Sequence, residues 1–120
     1  VLVVDDEGSI RKFLDRMLEQ RGYRVVVACD GVEGLGAMKT CAFHAVLLDL
    51  NMPRMGGLEV LAALREWERE QQQQQQQRSA QYVCVTSANC AESVVTQVYE
   101  SGADYFLAKP IDMATLVRAL

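Results

Sequence analysis

No apolar run in this chain approaches the ~18 residues that a membrane-spanning helix needs, and nothing at its start reads as a signal peptide. Lys and Arg never cluster beyond two neighbours and the net charge is −4, so neither a nucleic-acid footprint nor membrane contact is expected. The four cysteines, at 29, 41, 84 and 90, include no C-x-x-C pair, which argues against a zinc or redox site. Reduced thiols in a cytoplasmic protein are the expectation. There is one histidine, His44, expected at the surface or a sheet edge, and no glycine-rich ATP loop.

What is present is alternation. Five apolar runs are separated by helical patterns in 120 residues, enough for one domain and not two. The strands are expected at 2–4, 24–28, 45–48, 82–86 and 105–108. The first helix runs from about Ser9 to Arg21, with Ile10, Phe13, Leu14, Met17 and Leu18 inward and Gly22 as its stop. The second follows Asp30–Gly31 and is weakened by Gly34 and Gly36. The third starts near Leu58, the fourth covers about 92–101, and the fifth follows Asp112, a suitable N-cap. Continuous apolar strands alternating with helices imply a doubly wound α/β domain, a parallel sheet with helices on both faces. Seven glutamines, Gln71–Gln77, interrupt this plan. They extend the third helix into solvent or form a loop, and read as a solvated insert remote from the strand ends. The chain starts inside a strand at Val1 and ends in the apolar stretch Leu116–Leu120, so a domain cut from a longer protein is expected.

Charge is concentrated where the strands end. Asp5 and Asp6 end the first run, Asp49 the third, and Lys109, followed by Pro110, the fifth. In an open parallel sheet, ligands sit beyond the carboxyl ends of the strands. Three acids and a lysine there suit a hard cation and a phosphoryl group, since Mg²⁺ takes one or two carboxylates plus phosphate oxygens. Each residue also has a plainer reading. Asp5 and Asp6 could cap the first helix, Lys109 could be solvated, and Met52–Pro53 could be loop packing. Asp49, buried without a partner, would be costly; a cation shared with Asp6 would keep it ionised as a nucleophile. Asp6 would bind directly, Asp5 through water, and Asn51 through its backbone carbonyl. Ser87, after the fourth strand, is placed to donate to a phosphoryl oxygen, with Thr86 as the competing hydroxyl. The Lys109–Pro110 bond is a candidate for cis.

Taken in order, Val3-Val4-Asp5-Asp6-Glu7, Leu48-Asp49-Leu50-Asn51-Met52-Pro53, Gly56-Gly57-Leu58-Glu59, Ser87-Ala88-Asn89, Ser101-Gly102-Ala103-Asp104-Tyr105 and Ala108-Lys109-Pro110 resemble the receiver domain of two-component response regulators across essentially the whole chain. The resemblance implies a flavodoxin-like five-stranded sheet of order 2-1-3-4-5. It implies that Asp49 accepts a phosphoryl group from a phosphohistidine, with Mg²⁺ held by Asp5, Asp6, Asp49 and the Asn51 carbonyl. Lys109 would bind the phosphate, Ser87 would be the switch hydroxyl and Phe106 the switch aromatic, where many relatives carry Tyr. The implied partners are a histidine kinase or histidine phosphotransfer protein and a downstream output domain or protein, and a hybrid sensor kinase, membrane-anchored elsewhere, is among the implied parents. The face built by the fourth helix, fifth strand and fifth helix would respond. The spacing from Asp49 to Ser87 exceeds the family norm by about the glutamine tract.

Other classes fit less well. A Mg²⁺-dependent phosphatase with an aspartyl-phosphate intermediate would want an acid two residues after Asp49, where Asn51 stands. A flavin carrier of the same topology would have its phosphate repelled by Asp5-Asp6-Glu7. A phosphorylation-independent interaction module would leave the acid–lysine set without a purpose.

Overall fold

The computed structural model describes residues 1–74 and 79–120. The elements are β1 (Leu2–Val4), α1 (Gly8–Glu19), β2 (Val26–Ala28), α2 (Gly31–Thr40), β3 (Val46–Asp49), α3 (Gly57–Gln73), β4 (Val83–Ser87), α4 (Glu92–Glu100), β5 (Tyr105–Ala108) and α5 (Met113–Ala119). The strands form one parallel sheet in the order β2-β1-β3-β4-β5. This is the doubly wound arrangement expected from the alternation, with each element end within a few residues of its expected place.

Period-2 alternation along the strands builds two cores. Val4, Leu48 and Val85 face one side and meet Met38 of α2, Val60, Leu61 and Leu64 of α3 and Val98 of α4. Val3, Leu47, Cys84 and Leu107 face the other and meet Leu14 and Leu18 of α1 and Leu116 of α5. The glycines that weaken α2 on paper have a packing reason: a Cβ at Gly34 would sit 2.7 Å from a Val4 methyl, so only glycine lets α2 lie this close to β1. The first helix stops as expected, with Gly22 at φ +90°. Asp112 caps α5, its carboxylate accepting from the Thr115 N–H and hydroxyl.

Two places are more exposed than their apolar character suggests, for different reasons. Val26 and Val27 are exposed although their run reads as a two-sided buried strand, because β2 lies at the sheet edge. Phe13, expected inward, is 49% exposed. The buried stripe of α1 is the i, i+4 pair Leu14–Leu18, and Phe13, one residue from Leu14, turns away from it. It borders a shallow apolar groove with Ile10, Pro110 and Ile111.

At the end of the sheet away from the strands' carboxyl ends, Arg65 of α3 is the centre of a polar network. Its guanidinium donates to Gly102 O, Gln81 O, Glu68 Oε1 and Asp104 Oδ2 at 2.8–3.0 Å. Glu68 Oε2 in turn accepts from Gln81 N, and the Gln81 amide joins both backbone groups of Phe43. The glutamine tract leaves and re-enters the fold beside this network. Gln71–Gln73 continue α3 and Gln74 is its C-cap, while Gln75–Gln77 lie outside the described residues. Glu68 and Gln81 thus join the two sides of the tract. Arg65→Ala would leave several buried acceptors unpaired and should lower stability by about 3 kcal/mol in urea unfolding. Arg65→Lys should recover less than half of that loss, since an ammonium cannot reproduce the fork.

Candidate functional site

Three strands deliver charge to one point. β1 runs into Asp5, β3 ends on Asp49, and β5 leads into Lys109. The Lys109 ammonium donates to Asp5 Oδ2 and Asp49 Oδ1, each at 3.1 Å, with all three side chains at most 15% exposed. Lys109 is therefore not a solvated strand-end residue. The Lys109–Pro110 peptide is cis. Asp5 is not a side-chain cap of α1: the N-cap position is Glu7, without a side-chain bond, and Asp5 Oδ1 accepts from Glu7 N at 2.9 Å. Arg11 Nη1 donates to the Asp5 carbonyl at 2.6 Å and fixes the turn between β1 and α1.

Asp6 is exposed, in contrast to buried Asp5 and Asp49. Carboxylate oxygens of Asp5, Asp6 and Asp49 all lie within 4.8 Å of one another. An all-oxygen set of this spacing, with a single ammonium against three acids, fits a hard divalent cation. Asn51 is exposed on the following loop, where its backbone N–H helps to hold the Asp49 carboxyl down. Gly57 makes this geometry possible: a Cβ there would sit 2.5 Å from the Asp49 carbonyl oxygen.

The hydroxyls are less symmetrical than the sequence suggests. The ladder pairs Asp49 with Thr86 and Ser87 with Ala108, so Thr86 shares the sheet face of Asp49. Both hydroxyl residues are buried. Ser87 ends β4, and its Oγ accepts from Asn89 N at 3.0 Å, tying it to the loop before α4. Phe106 is half-buried against the core on the α2, α3 and α4 side, and its N–H donates to the hydroxyl of Tyr99 on α4 at 3.1 Å. His44 is exposed and contacts the carbonyl of Leu120, away from the acids. The contributions of Arg11 and Tyr99, and the close approach that requires Gly57, are not visible in the sequence, although Gly56-Gly57 after Met52-Pro53 is a signal for the last of these.

The whole chain, residues 1–120, matches the family model for the response regulator receiver domain. The chain belongs to the response regulator receiver family. It is 38% identical over 118 residues to the CAI-1 autoinducer sensor kinase/phosphatase CqsS of Vibrio cholerae, covering 98% of this chain and 16% of that one. It is 36% identical over 117 residues to the transcriptional regulatory protein PrrA of Mycobacterium tuberculosis, covering 98% and 46%. The receiver thus spans less than half the length of these relatives. Among solved structures it resembles a chain of the CheX–CheY–BeF3–Mg²⁺ complex of Borrelia burgdorferi, with TM-score 0.83, 27% identity and coverage of 98% and 83%. No helix among the described residues is long and apolar enough to cross a membrane.

Asp49 is electrostatically poised in this receiver. Burial pushes its carboxyl up to about 6, the Asp5 charge adds to this, and the Lys109 ammonium and Asn51 N–H pull the other way. For Lys109, burial works against the charge, but its bonds to Asp5 and Asp49 outweigh it and raise the ammonium above its usual range. With its folded value above the ordinary one, Asp49 stays protonated in the folded state across a window where the unfolded chain has lost that proton. Its contribution to stability therefore falls as pH rises from about 4 to about 6. With a chelator present, Asp49→Asn should raise stability at pH 7 by about 1–3 kcal/mol and change little at pH 4, as read by urea unfolding. Equal stabilities of the two proteins at pH 7 would refute this.

Proposed function

We propose that Asp49 is the phosphoacceptor of this receiver and that the reaction uses Mg²⁺. The observation that carries this reading is the Lys109 bridge between Asp5 and Asp49, with Asp6 beside them. Asp6 and Asp49 would hold the cation directly, Asn51 through its carbonyl, and Asp5 through water. When bound, the cation supplies charge neutralisation for the carboxylates and the incoming phosphoryl oxygens. An Asp49 carboxylate oxygen attacks the phosphorus of a phosphohistidine on a partner; the P–N bond breaks and the imidazole leaves. Lys109 already sits on Asp49 Oδ1 and meets the developing charge without rearranging. Positioning and charge carry most of this chemistry. The domain would then act in its own phosphorylation and dephosphorylation, with no ATP site of its own.

The response would start at Ser87. Its hydroxyl can donate to a phosphoryl oxygen, and any movement toward Asp49 pulls on Asn89 N and so on the loop before α4. The Tyr99–Phe106 bond would carry that shift from α4 to β5. Phosphorylation would thereby change the populations of the α4–β5–α5 face. A histidine kinase or histidine phosphotransfer protein is the proposed donor. An output domain or protein is the proposed reader; the relatives, a sensor kinase/phosphatase and a transcriptional regulator, place such receivers in different parents. The chain would serve as one receiver unit, with 71–77 as an insert.

Beryllofluoride with Mg²⁺, or a small phosphodonor, should modify the wild type at Asp49 and leave Asp49→Asn unmodified by mass spectrometry. Label retained in Asp49→Asn would refute the assignment. Deleting Gln71–Gln77 should leave the phosphorylation rate within about twofold, because the helical rise puts Gln73 about 24 Å from the start of α3. A tenfold loss of rate would show the insert to be coupled to the site.

A further inference from the structure

The loop from Leu50 to Gly56 carries Asn51, and it is held at two places. Its base is closed by backbone: Leu50 N donates to Thr86 O at 2.9 Å, and Gly57 N donates to Leu50 O at 2.8 Å. Its tip is a tight reversal in which Met55 N donates to Pro53 O at 2.7 Å and the intervening Arg54 has φ +68°. An i to i+2 bond across a residue with positive φ marks the rare, strained γ-turn. A non-glycine residue stays in such a conformation only when its surroundings hold it there.

Those surroundings come from α2. Arg54 Nη1 donates to Asp30 Oδ2 at 2.8 Å, and the Asp30 side chain is only 12% exposed. The other Asp30 oxygen accepts from Glu33 N at 2.9 Å and caps α2. Asp30 is thus a rigid post, anchored by its helix on one oxygen and gripping the loop tip with the other. Gly31, next to it, has no room for a Cβ against the Met55 carbonyl and Val60, so the start of α2 lies directly on the loop backbone. Between the closed base and the gripped tip lie Asn51, Met52 and Pro53. Asn51 is the residue whose backbone carbonyl would serve the cation beside Asp49.

We propose that the Asp30–Arg54 ion pair fixes the tip of the β3–α3 loop so that Asn51 stays in register with Asp49, making Asp30 and Arg54 positioning residues for divalent-cation binding. This rests on the reading of Asp5, Asp6, Asp49 and Asn51 as the cation site. Neither Asp30 nor Arg54 is among the residues that would hold the cation. Their effect passes through the loop backbone and appears as a change in affinity.

The test separates positioning from stability. Arg54→Gly removes the guanidinium and places at φ +68° the residue that tolerates it best, so its thermal midpoint should stay within ~3 °C of wild type. Asp30→Asn keeps a capping oxygen on α2 and loses the charge. Mg²⁺ alone is titrated into each protein by calorimetry. Each single variant should weaken Mg²⁺ binding about two- to fivefold, the range of a partly exposed ion pair. The double variant should be no weaker than the singles, because both remove one interaction. Arg54→Lys should recover part of the affinity. Wild-type affinity in both single variants would overturn the proposal, as would affinity and thermal midpoint falling in parallel in Arg54→Gly. Asp6→Asn is the control for the underlying reading. If Asp6→Asn loses Mg²⁺ and Arg54→Gly does not, only the positioning role fails. If Asp6→Asn binds as tightly as wild type, the cation site itself is wrong and the positioning role falls with it.

Discussion

One buried ammonium holds the functional edge of this receiver together. Lys109 lies 3.1 Å from a carboxylate oxygen of Asp5 and 3.1 Å from one of Asp49. Without that ammonium, two buried carboxylates meeting at one point would repel each other at high cost. With only one ammonium, compensation is incomplete. The site keeps an excess of negative charge, burial and the Asp5 charge hold Asp49 above the ordinary carboxylate range, and a hard divalent cation or the uptake of a proton relieves it. The charge that raises the Asp49 carboxyl is thus partly balanced by Lys109.

The rest of the fold keeps that edge in place. Backbone approaches that exclude a Cβ, at Gly57 against Asp49 and Gly34 against Val4, set α3 and α2 close to the sheet. At the opposite end, Arg65, Glu68, Gln81 and Asp104 bind α3 to β4 and to the turn before β5. That network closes the chain across the glutamine insert. The acidic edge and this network are separated by the length of the strands and α3.

Much of this was legible in the residues because strands announce their own ends. An apolar run that stops on Asp5, Asp49 or Lys109 places that side chain at the carboxyl edge whatever its neighbours are, and the parallel order brings those edges together. Faces were harder to read. Phe13 lies outside the buried face because periodicity alone does not say where a helical stripe stops, and the valines of β2 are exposed because that strand is outermost. The hydroxyls show the same limit: Ser87 and Thr86 are adjacent in sequence, and only the ladder register shows that Thr86 is the one opposite Asp49.

The sequence by itself determined the element order, the charges at the strand ends, the stop at Gly22 and the cap at Asp112, since each depends on local backbone chemistry or on periodicity over a few residues. Tertiary structure alone decided which charges meet. Lys109 and Asp5 stand 104 residues apart, and Arg54 and Asp30 stand 24 apart on different elements. No local pattern couples such pairs. They are joined only when the crossovers lay β1 between β2 and β3 and carry β5 to the far side of β4, fixing the distances over which charge acts.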